Sequence, residues 1–233
     1  MPASLAKRTI NPKTANGAYT QSQRDAQRAA LILAGTEQAR QSILLPSPPD
    51  ATNITFQFIN NTVAPPTGGT IFLSTLASFP ALEGSSVAMA IGFMNPCALN
   101  TPHIHPRANE FLTVVQGSLI GSVMLERDSG FGNADAVLAN YTGMLFPKGK
   151  VHWQFNNECE PAVFAAAFDD ADPGRAEIAA QFFSGLPADT EFSATGNQLD
   201  TLSPEQISKL RDSIPSTFVT LSQDCAKRCG IPA

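Results

Sequence analysis

Three histidines and one glutamate in this chain have the residue types and the spacing of a metal site. The sequence contains only three histidines: His103 and His105 lie two residues apart, and His152 lies in a distant segment. Glu110 follows His105 after five residues. Together they offer three imidazole nitrogens and one carboxylate, a set that suits manganese, iron, nickel or zinc better than calcium or copper(I). This pattern indicates one metal site.

The elements that position these side chains are predicted to be β-strands. On an extended strand successive side chains point to opposite faces, so His103 and His105 project from the same face. Glu110 lies at an odd spacing from them and cannot share that face on one continuous strand. Pro106 fixes φ and has no N–H, which favours a break between the two segments. A new strand that begins at Glu110 can then direct this carboxylate inward.

The longer pattern is more specific than the His-x-His pair, which alone is common in surface and hydrogen-bonded core positions. Gly92 and Gly117 flank the first run, and the second run reads Pro-x-Gly-x-x-His-x-x-x-Asn from Pro147 to Asn156. These runs resemble the paired motifs of the cupin superfamily, in the form found in germin-like and spherulin-like proteins. The resemblance extends over about residues 87–187.

The resemblance implies an all-β fold, a cupin jelly-roll β-barrel, with the four side chains above as ligands of manganese, and with zinc, iron or nickel as alternatives. It also implies a catalytic role for Asn100, because oxalate-oxidising germins carry an asparagine three positions before the first ligand histidine. An amide there can donate a hydrogen bond to a bound carboxylate or peroxide. The alternative is that Asn100 is a turn residue. A second asparagine of those enzymes aligns with Ala90, which weakens oxalate as the substrate.

Germin-like proteins include manganese-dependent oxalate oxidases, superoxide dismutases and members with no known activity. The resemblance therefore implies a secreted manganese-dependent oxidoreductase that acts on superoxide, or on oxalate with oxygen, so that its partners are a small anion or an oxygen species. The alternative is a non-enzymatic protein, which uses the ion to bind a small carboxylate or is a structural cell-wall or spore-coat protein stabilised by metal. The fold alone does not separate these functions.

Composition limits the remaining function classes. The chain has 233 residues, a net charge of −5 and a hydrophobic content of 43%, which is typical of one large β domain with helical additions. It lacks the basic footprint of a nucleic-acid-binding protein. No apolar run reaches the length that spans a membrane, so we predict neither a nucleic-acid partner nor a membrane segment.

Secretion is predicted from several weaker signals. Residues after Met1 include no apolar segment of a signal peptide, so we expect the signal to lie upstream of this sequence. Three N-glycosylation triplets begin at Asn53, Asn60 and Asn140, and they predict a glycoprotein. The four cysteines, which allow three pairings, are expected to form disulfides in an oxidising compartment. They are Cys97, Cys159, Cys225 and Cys229.

We predict three regions along the chain. Residues 1–50 form an arm and short helices, over 22–33 and Glu37–Leu44, that pack on the barrel. Residues 51–190 form the barrel with the metal site, because short segments of β character recur between glycine and proline turns. Residues 191–233 form a C-terminal helical segment. The predicted strands are 54–58, 70–76, 86–93, 110–115, 120–126, 143–146, 151–155 and 163–168.

The C-terminal segment begins with a strong helix signal. Ser203 is suited to the N-cap position and Pro204 to the first helical position, and this helix is predicted to end at Ser213. Pro215 is predicted to open a second helix that ends before Gly230. Because similar helices clamp neighbouring subunits in germins, the resemblance implies a homo-oligomer. The alternative is a helical cap on the chain's own barrel.

Overall fold

A computed structural model shows two antiparallel β-sheets with helices before and after them. The structure describes residues 19–46, 51–58, 68–215, 217–220 and 223–231. The strands are β1 (Gly69–Ser74), β2 (Ala88–Met94), β3 (Ala98–Ile104), β4 (Glu110–Gln116), β5 (Leu119–Met124), β6 (Asn133–Leu138), β7 (Gly143–Phe146), β8 (His152–Phe155), β9 (Ala162–Phe168), β10 (Ala176–Glu177) and β11 (Phe218–Thr220).

The strands divide into two sheets that face each other. The first sheet has the order β1-β2-β9-β4-β7, and the second has the order β10-β3-β8-β5-β6, with β11 paired to β3. Buried and less buried residues alternate along β2, β4 and β9, as expected of sheets with one core-facing side. Within the described residues the hydrogen bonding does not close the two sheets into a barrel, which corrects the expectation of a closed β-barrel.

The core between the sheets combines large and very small residues. Phe164, Leu112 and Phe146 are among its largest fully buried side chains. Gly92 allows the close approach of Phe164, because a Cβ added at Gly92 would lie 2.1 Å from that ring. The glycine of the first sequence motif therefore has a packing role.

Two helices precede the sheets, and both were predicted. Helix α1 spans Gln21–Leu33 and begins with a capping box between Thr20 and Gln23, and helix α2 spans Glu37–Leu44. Leu31 is fully buried, so α1 packs on the body of the fold. The predicted N-terminal arm lies outside the described residues except at its end.

The predicted strand over 54–58 is wrong. This region contains a 3-10 helix at Ala51–Ile54 and no strand. The side chain of Asn53 donates to the carbonyl of Ile43 at 3.0 Å. Phe56 packs on Phe58 and Phe79, with ring centroids 5.0 and 5.3 Å apart. The alternating aromatics pack on each other and on a neighbouring loop, and no strand of the described residues pairs with them.

The tail is helical in most of its length. The helices are α3 (Ile178–Gly185), α4 (Ala188–Ala194), α5 (Pro204–Ser213) and α6 (Gln223–Cys229). The bounds of α5 and its Ser203 cap confirm the prediction. The helix predicted to start at Pro215 is wrong in its first half, because Phe218–Thr220 forms β11 and pairs with β3. Aromatic and β-branched residues favour that pairing.

The other predicted strands are confirmed within a few residues. β3 was predicted only as the extended segment that carries His103 and His105, and β6, β10 and β11 were not predicted as strands. No helix among the described residues is both long and apolar enough to span a membrane. The division into 1–50, 51–190 and 191–233 remains a prediction.

Candidate metal centre

The two sequence runs meet because they belong to facing sheets. His103 lies on β3, and His105 follows the end of that strand at a bend that begins with Pro106. Glu110 is the first residue of β4, in the opposite sheet. The proline break and the inward-facing Glu110 are therefore both confirmed. His152 is the first residue of β8 and lies directly across the strand pair from His103.

Backbone contacts fix the turn before His152 against the first run. The N–H of Gly149 donates to the carbonyl of His105 at 3.0 Å. The N–H of Lys148 donates to the side-chain oxygen of Asn109 at 3.0 Å. The ring of His152 stacks on Phe146, with centroids 4.5 Å apart. The Pro-x-Gly turn thus sets the position of the third imidazole.

All four predicted ligands converge and are buried. One ligand atom from each of His103, His105, Glu110 and His152 lies within 4.8 Å of the others. Nε2 of His105 lies 2.9 Å from Oε2 of Glu110, and Nε2 of His152 lies 3.1 Å from the same oxygen. Each of the four residues is at most 3% exposed. The structure therefore brings together every residue of the predicted ligand set.

The other ring nitrogen of each histidine contacts a backbone carbonyl. Nδ1 of His103 lies 2.7 Å from the carbonyl of Thr101. Nδ1 of His105 lies 2.5 Å from that of Gly174, and Nδ1 of His152 lies 2.9 Å from that of Lys150. A carbonyl only accepts hydrogen bonds, so we assign the proton of each neutral imidazole to Nδ1. Each Nε2 lone pair is then free to bind a metal, as is usual for histidine ligands.

The surroundings of His103 and Glu110 favour the protonation states in which these two groups bind a metal. Burial lowers the pKa of His103 well below its usual value, and the guanidinium of Arg175 and the neighbouring imidazoles lower it further. Burial alone would raise the pKa of Glu110, but hydrogen bonds from His105 and His152 outweigh it whenever these rings carry a proton on Nε2, and this pKa then lies well below its usual range. An ionised carboxylate beside neutral imidazoles is the state that binds a cation.

This arrangement fits a divalent metal ion. With Nδ1 protonated, the Nε2 atoms of His105 and His152 are acceptors, yet both approach an acceptor oxygen of Glu110 closely. Acceptors that face each other inside a protein repel unless a positive charge lies between them. Protonating several crowded imidazoles is unfavourable, since the ring centroids of His103 and His152 are only 4.3 Å apart. A metal ion would satisfy all four groups at once.

Asn100 is buried beside the ligands but does not point a free amide at them. Its Nδ2 donates to Oε1 of Gln154 at 2.5 Å, and its Oδ1 accepts from the guanidinium of Arg175 at 2.9 Å. Neither Gln154 nor Arg175 was predicted from the sequence as a site residue. Gln154 could have been found from its spacing, because it lies two residues after His152 on the same strand face. No comparable spacing in the sequence indicated Arg175.

Arg107, which follows His105 by two residues, lies away from the four proposed ligands. Its side chain is 49% exposed and pairs with Asp172 at 3.0 Å, and its Nε donates to the carbonyl of Asp172 at 2.6 Å. It therefore ties the bend after His105 to the segment after β9.

The four cysteines form two disulfides, Cys97–Cys225 and Cys159–Cys229, and this selects one of the three pairings left open by the sequence. Three of their sulfur atoms lie close together, but as disulfides they offer no thiolate to a metal. Both bonds attach α6 to the chain's own β region. This attachment favours the alternative in which α6 covers the chain's own β-sheets over one in which it binds a neighbouring subunit.

The glycosylation triplets differ in accessibility. Asn53 is buried and its amide is hydrogen-bonded, so this site is unsuited to a glycan in the folded protein. Asn140 is exposed in the turn between β6 and β7. Asn60 lies outside the described residues.

Comparisons with known proteins agree with this geometry. The cupin family model matches residues 58–203. The chain is 37% identical to Spherulin-1A of Physarum polycephalum over 70% of this chain and 64% of that protein. It is 33% identical to Spherulin-1B of the same organism over 85% of this chain and 80% of that protein.

A plant relative and a solved structure extend the likeness. A putative germin-like protein 9-2 of Oryza sativa subsp. japonica is 36% identical over 62% of this chain and 71% of that protein. A structure of oxalate oxidase in complex with the substrate analogue glycolate has the same fold, with a TM-score of 0.57 and 24% identity over 67% of this chain and 76% of that chain. The chain is therefore a cupin of the germin-like and spherulin-like group.

Proposed function

We propose that this protein is a secreted, manganese-dependent oxidoreductase that acts on a small anion, either superoxide or oxalate with oxygen. The observation that carries the proposal is the convergence of three Nε2 atoms and the Glu110 carboxylate, with every Nδ1 held by a backbone carbonyl. Manganese is supported by this donor set of three imidazoles and one carboxylate. The likeness to an oxalate oxidase supports a small anion as substrate.

A bound ion would supply redox chemistry and polarise an anion at its open positions. The chain's own residues fix where this happens. The carbonyls of Thr101, Lys150 and Gly174 hold the imidazole protons on the side away from the centre. These protons are therefore not available for transfer to the substrate, and a proton needed in the reaction has to come from water or from a carboxyl group.

We further propose that the protein is extracellular and glycosylated at Asn140. Two disulfides support an oxidising compartment, and Asn140 is exposed. Assembly into a homo-oligomer through the C-terminal helices also remains a proposal. Light scattering of the purified protein would test it.

The function is tested by metal analysis followed by two assays on the same preparation. The protein is loaded with manganese, freed of excess ion, and assayed for hydrogen peroxide from oxalate and for superoxide loss. Activity that follows manganese content and disappears in His152→Ala supports the proposal. A fully manganese-loaded, folded protein that is silent in both assays contradicts it and favours the non-enzymatic carboxylate-binding or structural alternative.

A further inference from the structure

A chain of four polar side chains lies beside the metal centre and has no explained role. The guanidinium of Arg175 donates from Nε to Glu177 at 2.7 Å and from a terminal nitrogen to Oδ1 of Asn100 at 2.9 Å. Asn100 in turn donates to Gln154 at 2.5 Å. Asn100 is 2% exposed and Gln154 is 0% exposed. This polar chain extends from a half-buried carboxylate to a fully buried amide.

The orientation of both amides follows from Arg175. A guanidinium has five N–H donors and no acceptor, so it must meet the oxygen of Asn100. The Asn100 nitrogen is then left to donate, which requires the oxygen of Gln154 to accept. The Gln154 nitrogen is therefore the atom without a protein partner, and it is buried. A buried donor left unsatisfied costs about 1–3 kcal/mol, which suggests that something outside the chain accepts from it.

The polar chain occupies the strand positions next to the ligands. His103 on β3 pairs with His152 on β8, and Asn100 pairs with Gln154. Asn100 lies three positions from His103 on β3, whereas Gln154 lies only two positions from His152 on β8. This register shift places Asn100 and Gln154 on the same face as the two imidazoles. Glu177 on β10 pairs directly with His103 on the neighbouring strand β3. Positions two residues apart on one strand face are about 7 Å apart. Only a short molecule can therefore contact both the proposed metal ligands and the Asn100–Gln154 pair.

Arg175 also has unused hydrogen-bond donors. Two of its five N–H groups are used in the bonds to Glu177 and Asn100, and the others have no hydrogen-bond partner among the described residues. Its side chain is 16% exposed. A largely buried guanidinium with unused donors is well suited to bind a carboxylate through two parallel hydrogen bonds.

We propose that Arg175 is a specificity residue that binds the free carboxylate end of a short, two- or three-carbon carboxylate anion held at the metal centre, with Gln154 donating beside it. This inference rests on the metal-dependent function proposed above and selects carboxylates over superoxide. Asn100 is then a positioning residue, which orients both donors and does not itself contact the anion. Arg175 supplies a positive charge near the site, because its guanidinium also lowers the pKa of His103.

Glu177 has the opposite effect on the anion. Its carboxylate occupies Nε of Arg175 and neutralises much of the charge of the guanidinium. An incoming carboxylate must share Arg175 with Glu177 or displace it. Removal of the negative charge of Glu177 should therefore strengthen the binding of short carboxylates, whereas removal of Arg175 should weaken it.

The test measures anion binding to the manganese-loaded protein without relying on turnover. Oxalate and azide are titrated by calorimetry and by the electron paramagnetic resonance of manganese, in wild type and in Arg175→Met, Glu177→Gln and Arg127→Met. We expect oxalate binding to weaken at least tenfold in Arg175→Met and to strengthen severalfold in Glu177→Gln. Azide has no second carboxylate for Arg175 to bind, so its affinity should change less than twofold. Arg127→Met removes an exposed guanidinium and should change neither.

The two substitutions protect the test against misfolding, because a strengthened affinity in Glu177→Gln cannot come from a damaged protein. Unchanged oxalate affinity in both variants with manganese still bound, or wild type that binds azide but not oxalate, would overturn the assignment of Arg175. Oxalate binding that depends on Arg175 in a protein without turnover would support this inference and contradict the proposed oxidoreductase activity. The two proposals can therefore fail separately.

Discussion

Replacing Glu110 with glutamine should have opposite effects on the metal-free and the metal-loaded protein. In the metal-free protein the buried carboxylate faces the Nε2 atoms of His105 and His152 at 2.9 and 3.1 Å, and all three atoms are acceptors when the imidazoles are neutral. A glutamine of the same shape can donate an N–H to one of these imidazoles. We therefore expect metal-free Glu110→Gln to be at least as stable as metal-free wild type, and the loaded variant to be less stable than loaded wild type.

The magnitude follows from the burial of the four groups. Burial of an ionised carboxylate costs more than burial of a neutral amide, and a new hydrogen bond to an imidazole contributes about 0.5–1.5 kcal/mol, so the metal-free variant should gain up to about 2 kcal/mol. Groups behind metal ligands already change metal affinity about 10–100-fold, so loss of the carboxylate ligand should weaken binding at least about 100-fold. That factor corresponds to about 2.7 kcal/mol. In a chain of this size it lowers the metal-induced rise in Tm by about 5–11 °C.

The assay is thermal unfolding with manganese and with a chelator, on wild type, Glu110→Gln and a matched control. Glu158→Gln makes the same chemical change at an exposed position and should match wild type in both conditions. A Glu110→Gln variant that keeps the full metal-induced rise in Tm would refute the role of this carboxylate as a ligand. A metal-free variant several degrees less stable than wild type would refute the assignment of three facing acceptors.

Four further predictions concern the ligands and the packing around them. His152→Ala should lose most of the bound manganese, as measured by elemental analysis, because it removes one of three imidazoles from a site with no spare histidine. Asn100→Ala should retain manganese but weaken oxalate binding, because Arg175 and Gln154 lose the side chain that joins them. Gly92→Ala should lower the free energy of unfolding by about 1–3 kcal/mol in denaturant titrations, since the new Cβ would lie 2.1 Å from the Phe164 ring. The lowered pKa of Glu110 keeps its carboxylate ionised, and so available as a metal ligand, until the pH falls through its folded value. The pKa of His103 is also lowered, so protonation of His103 should not release manganese when the pH falls below the usual histidine pKa of about 6.5; manganese retention against pH, followed by electron paramagnetic resonance, measures this.

The features that sequence predicted well depend on rules that act within a few residues. Side-chain alternation placed His103 and His105 together, and the proline break allowed Glu110 to restart a strand. The Ser-Pro start of α5 gave its first residue and its cap, because an N-cap hydroxyl and a proline at the first position satisfy local backbone requirements. In each case the physical cause lies inside the segment, so the segment alone reveals it.

The errors concern segments whose structure depends on a distant partner. Residues 54–58 alternate as a strand does, but Phe56 packs on Phe58 and Phe79. Phe218–Thr220 was predicted as helix because Pro215 resembles a helix start, and it forms a strand because the edge of β3 is available to it. A strand is stabilised by its neighbours, and the sequence of one segment does not state which neighbours it will have.

The same distinction explains why the proposed metal ligands were visible in the sequence and the proposed anion-binding residues were not. Alternation alone would put Asn100 and His103 on opposite faces of β3, since three residues separate them. On the partner strand β8, Gln154 lies only two positions from His152. This difference in spacing reveals the register shift that brings Asn100 and His103 to one face of β3. Arg175 then reaches Asn100 from a segment that is 75 residues away in the chain. A metal imposes a compact ligand pattern on the sequence, whereas the selection of its anion depends here on pairing across three strands. Specificity within this group can therefore change while the His-x-His and glutamate pattern stays the same.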